Sequence, residues 1–176
     1  MDGPAEATRE LEYLLRQINH LMNHYTRNYL GEKGLTMARF WVLSNLPRGQ
    51  KLTMGELQRR LLLAPGTVTG LVDGLVAEGL VRRWRDENDR RLVFLSLTAA
   101  GEEFLAGILS FRSAVLAKAM ARLDETNAPD AGQLNTALRV ILANLRNLCK
   151  GERDRDCSAG YGIAARPRGS VLGNGE

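Results

Sequence analysis

The sequence predicts a mostly α-helical fold with one small β-hairpin, and three observations lead to this expectation. Apolar residues recur at helical spacing through most of the 176 residues. A pair of helices between Thr53 and Glu78 is interrupted only by Ala64-Pro65-Gly66. Two runs of strand-forming residues follow, separated by the turn-forming letters DEND. Residues 1–149 are therefore expected to form a single domain.

The chain is expected to begin with two helices. The first covers residues 5–30, and glycines at 31 and 34 end it. The second is short, runs from Thr36 to Leu46 and is closed by Pro47. One face of the first helix is apolar and consists of Leu11, Leu14, Leu15, Ile18, Leu21, Met22, Tyr25 and Tyr29.

The next two helices have clear start signals. Thr53 and Glu56 fit a capping box, in which each side chain binds the backbone N–H of the other residue. Pro65 suits the first turn of the second helix. The buried face of that helix is expected to be Val68, Leu71, Val72 and Leu75. Its opposite face is small or polar, so another surface could approach closely; it consists of Gly66, Thr67, Thr69, Gly70, Asp73 and Gly74.

Such a second helix, following a short turn, is the element that enters the DNA major groove in helix-turn-helix proteins. An ordinary amphipathic helix pair is the alternative. Thr67 and Thr69 could contact base edges. Asp73 would repel phosphates, so we expect it to hold a nearby arginine or to accept from a base amine.

The predicted hairpin begins near Leu80. Residues 81–85 and 92–97 form its strands, and Asp86 to Asp89 supply the turn. Arg90 and Arg91 follow at or just past the tip. An arginine beside a groove-binding helix suits the minor groove, whose narrow stretches attract cations. A solvated loop is the alternative, and the mixed Asp/Arg order suggests internal ion pairs that stiffen the hairpin.

Two further helices are expected after the hairpin. Thr98 caps a linking helix at residues 98–123, and a last helix at 124–149 starts near Pro129. The apolar faces of the first and last helices exceed what a small core needs. They are therefore expected to pack against a second copy of the chain; a monomeric helical bundle is the alternative.

In their order along the chain, these segments resemble the MarR family of transcriptional regulators. The anchors are LTMARFWVLSNL, TMGELQRRLLLAPGTVTGLVDGL, GLVRR leading to DRR, and LTAAG, and the likeness covers about Glu6 to Cys149. The resemblance implies a winged helix-turn-helix domain at 36–98, flanked by N- and C-terminal dimerisation helices. It also implies a dimer that binds a pseudo-palindromic DNA operator.

The resemblance assigns roles to individual residues. The groove-facing start of the recognition helix would be Pro65, Gly66, Thr67, Thr69 and Gly70. Arg90 would be the minor-groove arginine of the wing, and Asp89 with Arg91 would shape that wing. Gly70 and Gly74 stand where many members carry long side chains, which weakens the case for base readout from the helix centre.

Family members often bind a small aromatic or anionic effector between the dimerisation helices and the winged domain. By that analogy, His20, His24, Arg39 and Phe40 are the candidate pocket residues. The two histidines, four residues apart, could also hold a metal, but no further ligands are signalled, so no metal and no cofactor are expected. A residue such as Phe40 or Trp41 is more often simply part of the core.

Nothing in the sequence indicates an enzyme: it contains no phosphate-binding glycine loop, no paired-carboxylate motif and no Cys-x-x-Cys. Two other functions stay open. The winged helix could be a protein-interaction module, or Cys149 and Cys157 could form an oxidant-sensing switch.

The formal net charge of +4 permits a nucleic-acid partner. No apolar run approaches the roughly 20 residues needed to span a membrane, and no signal peptide is recognised, so a cytoplasmic protein is expected. Residues 150–176 are rich in glycine and arginine without periodicity, which predicts a disordered tail.

Overall fold

The computed structural model describes residues 3–121 and 129–151. The order of elements is α1 (Pro4–Gly31), α2 (Met37–Asn45), β1 (Leu52–Thr53), α3 (Met54–Leu61), α4 (Pro65–Ala77), β2 (Val81–Arg85), β3 (Val93–Leu97), α5 (Ala99–Met120) and α6 (Ala131–Gly151). The predicted mostly helical fold with a small β-wing is confirmed. The predicted tail lies outside the described residues, except for its first two positions, which belong to α6.

The sheet has three strands, so the predicted two-stranded hairpin was incomplete. Its order is β1-β3-β2, and both pairings are antiparallel. Leu52 lies opposite Leu95, and Thr53 lies opposite Phe94. A strand of two residues is too short to show alternating apolar and polar residues. It can therefore be recognised only from its pairing with β3. The third strand starts at Val93, one residue later than expected.

The helix starts follow from local hydrogen bonds. Thr53 and Glu56 form the predicted capping box, with Glu56 N–H donating to Thr53 Oγ1 at 3.2 Å and Thr53 N–H donating to Glu56 Oε2 at 2.8 Å. Thr98 caps α5 by accepting from Gly101 N–H at 3.0 Å. The last helix begins at Ala131, later than predicted, because the Asp130 carboxylate accepts from Gln133 N–H at 2.8 Å and so caps it there. Residues 124–128 of the predicted helix lie outside the described part.

The hydrophobic core is drawn from the region between Tyr29 and Leu109. Its fully buried side chains include Phe40, Leu43, Leu57, Leu75 and Leu95. Among the described residues, α6 contributes nothing to this core, and α1 contributes only its last turns. The remainder of α1 and all of α6 therefore lie outside the small domain that carries the sheet.

The last turns of α1 are fastened to α5. Tyr29 stacks on Phe111 with ring centroids 4.3 Å apart. The guanidinium of Arg112 donates to the hydroxyl of buried Thr26 and, at 3.3 Å, to the Met22 carbonyl. These contacts fix where the projecting part of α1 leaves the domain.

Candidate nucleic-acid interface

The turn between α3 and α4 sets the direction of the second helix. Leu62 ends α3 in the left-handed region, with φ 51° and ψ 32°. Ala64 precedes the helix, and Pro65 occupies its first turn, where a missing N–H costs nothing. Short turns of this kind join the two helices of a helix-turn-helix unit.

One face of α4 is buried and the other is open, as the sequence predicts. Val68, Val72 and Leu75 are fully buried, and Leu71 is partly buried. The exposed positions at the start are Pro65, Gly66, Thr67 and Gly70. A Cβ added at Gly66 or Gly70 would meet no atom within 4 Å, so both glycines face open space.

Thr69 differs from the other predicted groove residues. Its side chain is only partly exposed, and its hydroxyl donates to the Pro65 carbonyl at 3.0 Å. The hydroxyl hydrogen of Thr69 is therefore already engaged in a hydrogen bond within α4. Thr67, which is exposed, is therefore the residue at the start of α4 better placed to donate to another molecule.

The acidic residue on the open face is held by an arginine, as we expected for Asp73. Arg83 Nη1 of β2 lies 2.5 Å from Asp73 Oδ1. Both side chains are partly exposed. This bridge joins the helix to the wing and neutralises the carboxylate that would otherwise repel a phosphate.

Two aspartates shape the wing tip. Asp86 Oδ1 accepts from the N–H groups of Asn88 and Asp89, each at 2.9 Å, and Asp89 Oδ1 accepts from Arg91 N–H at 3.0 Å. The hydrogen bonds from Asp89 and then Asn88, with a smaller contribution from Lys51, lower the pKa of Asp86 below its usual value. The hydrogen bonds of the turn therefore persist to a lower pH than they would with an unperturbed aspartate.

The tip differs from the sequence prediction in two respects. Asp89 meets the backbone of Arg91, so carboxylate-to-backbone hydrogen bonds shape the turn where ion pairs between side chains were expected. Asp86, which sequence reasoning placed only in the turn, organises it. Arg90 and Arg91 are both exposed at the end of the wing.

The outer face of the sheet carries a row of cations and aromatic rings that the sequence did not single out. Lys51 Nζ lies 4.0 Å from the Phe94 ring centroid, and Arg82 Cζ lies 4.8 Å from that of Trp84. The two rings pair across β2 and β3 with centroids 5.9 Å apart. The Trp84–Phe94 pair is next to the last strand pair, Arg85–Val93, so these contacts support the end of the sheet nearest the wing tip.

The four predicted effector residues have different environments. His20 and His24 are exposed on α1, and His24 lies 3.4 Å from the Asn28 amide. Arg39 forms an ion pair with Glu78, the residue that ends α4. Phe40 is only 1% exposed and belongs to the core, so it offers no surface to a ligand in this conformation.

The described residues contain no group of three or more His, Cys, Asp or Glu side chains that could hold a metal ion. Of the two cysteines, Cys149 lies near the end of α6, and Cys157 lies outside the described residues. The oxidant-sensing switch therefore stays a prediction.

Among the described helices, none alone is long and apolar enough to cross a membrane. The bent pair Met54–Leu61 and Pro65–Ala77 meets the length and composition criteria together. Its apolar residues, among them Leu57, Val68 and Leu75, are in the core of the domain.

A helix-turn-helix followed by a β-wing defines the class of winged helix-turn-helix proteins. Comparison with known proteins identifies the family. The model of the MarR family matches residues 33–92. The transcriptional repressor YetL of Bacillus subtilis is 35% identical over 113 residues, which cover 61% of this chain and 68% of that protein. The chain belongs to the MarR family of transcriptional regulators.

Other relatives and solved structures agree with that assignment. The repressor MdtR of Bacillus subtilis is 30% identical over 107 residues, covering 61% of this chain and 69% of that protein. A structure of the multiple antibiotic resistance repressor MarR superposes with a TM-score of 0.62 at 26% identity, covering 75% of this chain and 94% of that one. The relatives are named as regulators, not as enzymes.

Proposed function

We propose that the chain is a transcriptional repressor that binds a pseudo-palindromic operator as a homodimer, and that a small aromatic or anionic effector changes its affinity for DNA. One observation carries the DNA-binding part. The open start of α4 and the exposed Arg90 at the wing tip belong to elements that the Arg83–Asp73 bridge joins directly. A helix for the major groove and a cation for the adjacent minor groove are thus presented together.

The open face of α4 indicates how the operator would be read. Gly66 and Gly70 supply no side chain, and the hydroxyl of Thr69 is engaged with Pro65. Thr67 is left as the polar side chain at the helix start. Direct readout of bases would therefore be sparse, and phosphate contacts and groove shape would carry a large part of the affinity.

The homodimer is inferred from the exposed apolar faces of the outer helices. On α1, Leu14, Ile18 and Leu21 are 47%, 51% and 55% exposed. On α6, Leu142 and Leu145 are 48% and 54% exposed. Fully burying a wholly exposed side chain of this kind contributes about 1.5–3 kcal/mol, so covering these half-exposed ones contributes roughly half as much each. Their number on the two faces favours a second copy that covers them. A two-fold dimer would match a pseudo-palindromic site.

A structural neighbour supports the operator as the ligand. A mutant of MarR from Escherichia coli, described as complexed with operator DNA, has a TM-score of 0.57 with this chain at 23% identity, covering 82% of this chain and 99% of that one. At 23% identity, the likeness between the two chains is a likeness of fold, and the operator as ligand of this chain is part of the proposal. We infer cytoplasmic action from the proposed DNA ligand.

The effector part rests on the exposed histidines of α1. His20 and His24 lie on the helix that would join the two protomers, next to where α1 is fastened to α5. An anion bound there could change the angle between the dimerisation helices and the winged domain. Benzoate, the simplest aromatic anion, is a suitable first probe: it should raise the melting temperature of the wild type by mass action. A His20→Ala/His24→Ala variant that responds equally would remove these residues from the account.

A gel-shift titration with the upstream region of the chain's own gene tests DNA binding. We expect a specific complex whose log affinity falls linearly with log salt concentration. Arg90→Ala should weaken it and reduce the salt slope by about 1.8, at roughly 0.9 for each of two wings. Arg91→Ala is the matched control, because alanine retains the N–H that Asp89 accepts.

The results separate the proposal from its rival. If Arg90→Ala binds the DNA with the affinity and the salt slope of the wild type, Arg90 of the wing does not contribute to DNA binding. If no specific complex forms at any salt concentration, a winged-helix module that binds another protein becomes the better interpretation. Such a module would depend on the apolar and aromatic residues of the hairpin, Trp84 and Phe94, instead of Arg90.

A further inference from the structure

The recognition helix α4 and its C-cap carry two acidic residues, and each is held by an arginine from a different neighbour. Asp73 is paired with Arg83 of β2. Glu78, the C-cap, is paired with Arg39 of α2. The side chains of the second pair are 28% and 38% exposed, which makes it the more enclosed of the two. The partner of Glu78 could not be inferred from proximity in sequence, since it lies 39 positions from Arg39.

The guanidinium of Arg39 also lies across the backbone of α4 at Gly74. A Cβ placed on Gly74 would be 2.5 Å from Arg39 Nη2, 3.1 Å from Cζ and 3.3 Å from Nε. Gly66 and Gly70 have no such neighbour within 4 Å. The lack of a side chain at Gly74 therefore leaves the space that the Arg39 guanidinium occupies. Gly66 and Gly70 make no such room for a neighbour.

The backbone of Arg39 is held in place at the start of α2. It lies in the first turn of α2, where its backbone N–H donates to Thr36 Oγ1, the cap of that helix, at 3.3 Å. Its side chain then spans from α2 to the end of α4. A cation near the carbonyl end of a helix also interacts favourably with the helix dipole.

The two ion pairs approach α4 from different sides. At about 100° per residue, Asp73 and Glu78 are about 140° apart around the helix axis. The open face, with Gly66 and Gly70, lies between them, and the buried face with Val72 and Leu75 lies opposite. The helix is thus supported by the core beneath it, by Arg83 at one edge of the open face, and by Arg39 across the end of that face at Gly74.

We propose that Arg39 and Arg83 are positioning residues that brace the glycine-containing recognition helix and fix its rotation for entry into the major groove. This inference rests on the proposed function. Three glycines make α4 a weak helix by itself, so its geometry depends on outside contacts. Both arginines are engaged with carboxylates, so the proposal assigns them an action on DNA through the position of α4, and direct phosphate contact is the alternative that the test below separates from it.

Charge exchange tests the more enclosed pair. Arg39→Glu and Glu78→Arg are made singly and together in the full chain, and operator affinity is measured over a range of salt concentrations. Each single variant should bind up to about fivefold more weakly, the size expected of partly exposed ion pairs. The double variant should bind more tightly than either single variant and approach the wild type, because the exchanged pair can re-form, with an unchanged salt slope.

A phosphate contact by Arg39 predicts the opposite pattern. The double variant would then stay as weak as Arg39→Glu, and its salt slope would be smaller by about 1.8 per dimer. That result would overturn the proposal that Arg39 braces α4. Equal affinity in the wild type and both single variants would overturn it as well, since the helix would then need no such support.

Hydrogen exchange of the α4 amides in the DNA-free protein gives a readout that does not need the operator. Gly74→Ala should displace Arg39 and lower protection along the second half of α4, although alanine is the better helix former. Gly70→Ala, the matched control facing open space, should raise protection. Equal rises in amide protection in Gly74→Ala and Gly70→Ala would overturn the proposal that Arg39 braces α4. Absence of operator binding by the wild type would refute the proposed function while leaving this exchange result interpretable.

Discussion

Gly101, in the first turn of α5, lies too close to the polypeptide backbone to carry a side chain. A Cβ there would overlap the Leu80 carbonyl oxygen, and it would lie 2.9 Å from the Leu80 carbonyl carbon and 3.3 Å from its Cα. Two hydrogen bonds hold α5 at this place: Thr98 N–H donates to Leu80 O at 3.1 Å, and Thr98 Oγ1 donates to Gly79 O at 2.7 Å. We therefore predict that Gly101→Ala forces α5 away from the connection between α4 and β2.

The cost follows from three contributions. Forcing extra atoms into a packed site costs about 1–3 kcal/mol. Weakening the two Thr98 hydrogen bonds costs about 0.5–1.5 kcal/mol each. The better helix propensity of alanine returns at most about 1 kcal/mol. The expected net loss is about 3 kcal/mol, which corresponds to a melting temperature lower by about 6–12 °C for a chain of this size.

Thermal and urea unfolding at one fixed protomer concentration would measure this loss. Gly107→Ala on the same helix is the control, because its Cβ would meet only the Tyr29 hydroxyl at an ordinary 3.7 Å. That variant should gain up to about 1 kcal/mol from helix propensity. If Gly101→Ala is as stable as Gly107→Ala, the close approach of α5 to Leu80 is wrong.

Three further predictions address the turn, the cap and the dimer. Thr53→Ala should cost about 1 kcal/mol in urea unfolding at pH 7. The Thr53 hydroxyl also donates to the Glu56 carboxylate, and the Thr53 hydrogen bonds lower the pKa of Glu56 below its usual 4.5. The part of the loss that depends on this carboxylate is present above that pH and disappears as the pH falls through the folded-state pKa, whereas the bond from Glu56 N–H to Thr53 Oγ1 contributes at every pH. A loss that does not shrink on acidification would contradict the hydroxyl–carboxylate bond. Leu62→Asn should stabilise the chain by about 1 kcal/mol, because Leu62 is 89% exposed and left-handed; no gain in melting temperature would count against that conformation. If the chain forms the proposed homodimer, Ile18→Glu should convert it to monomers in sedimentation velocity, and an unchanged dimer would exclude the α1 face from the interface.

The parts of the fold that sequence predicted are those fixed by local chemistry. The capping box of Thr53 and Glu56 forms between residues within one helical turn, and the buried face around Val72 was predicted from apolar spacing within α4 itself. Asp73 could also be anticipated, because a carboxylate on an open face beside several arginines needs a cation. The start of α6 was misplaced because Pro129 and Asp130 both carry start signals, and the Asp130 hydrogen bond decides between them.

The parts that sequence missed depend on residues that are distant along the chain. The strand β1 exists only through its pairing with Leu95 and Phe94. The Arg39–Glu78 ion pair depends on how α2 crosses α4, so Arg39 was assigned to an effector pocket on analogy alone. Phe40, its neighbour, faces the core because α2 presents the adjacent side of the helix to α4 and α5. Tertiary packing, which the apolar pattern does not encode residue by residue, decided these positions.

The most direct test of the account is the stoichiometry and salt dependence of the DNA complex. Sedimentation of the chain with a fluorescent duplex from its own upstream region would give the number of protomers per site. We expect two protomers on one site, with an affinity that falls as salt is raised and that exceeds the affinity for an unrelated duplex of the same length. A monomer at micromolar concentration that binds neither duplex, or binds both equally, would contradict the account.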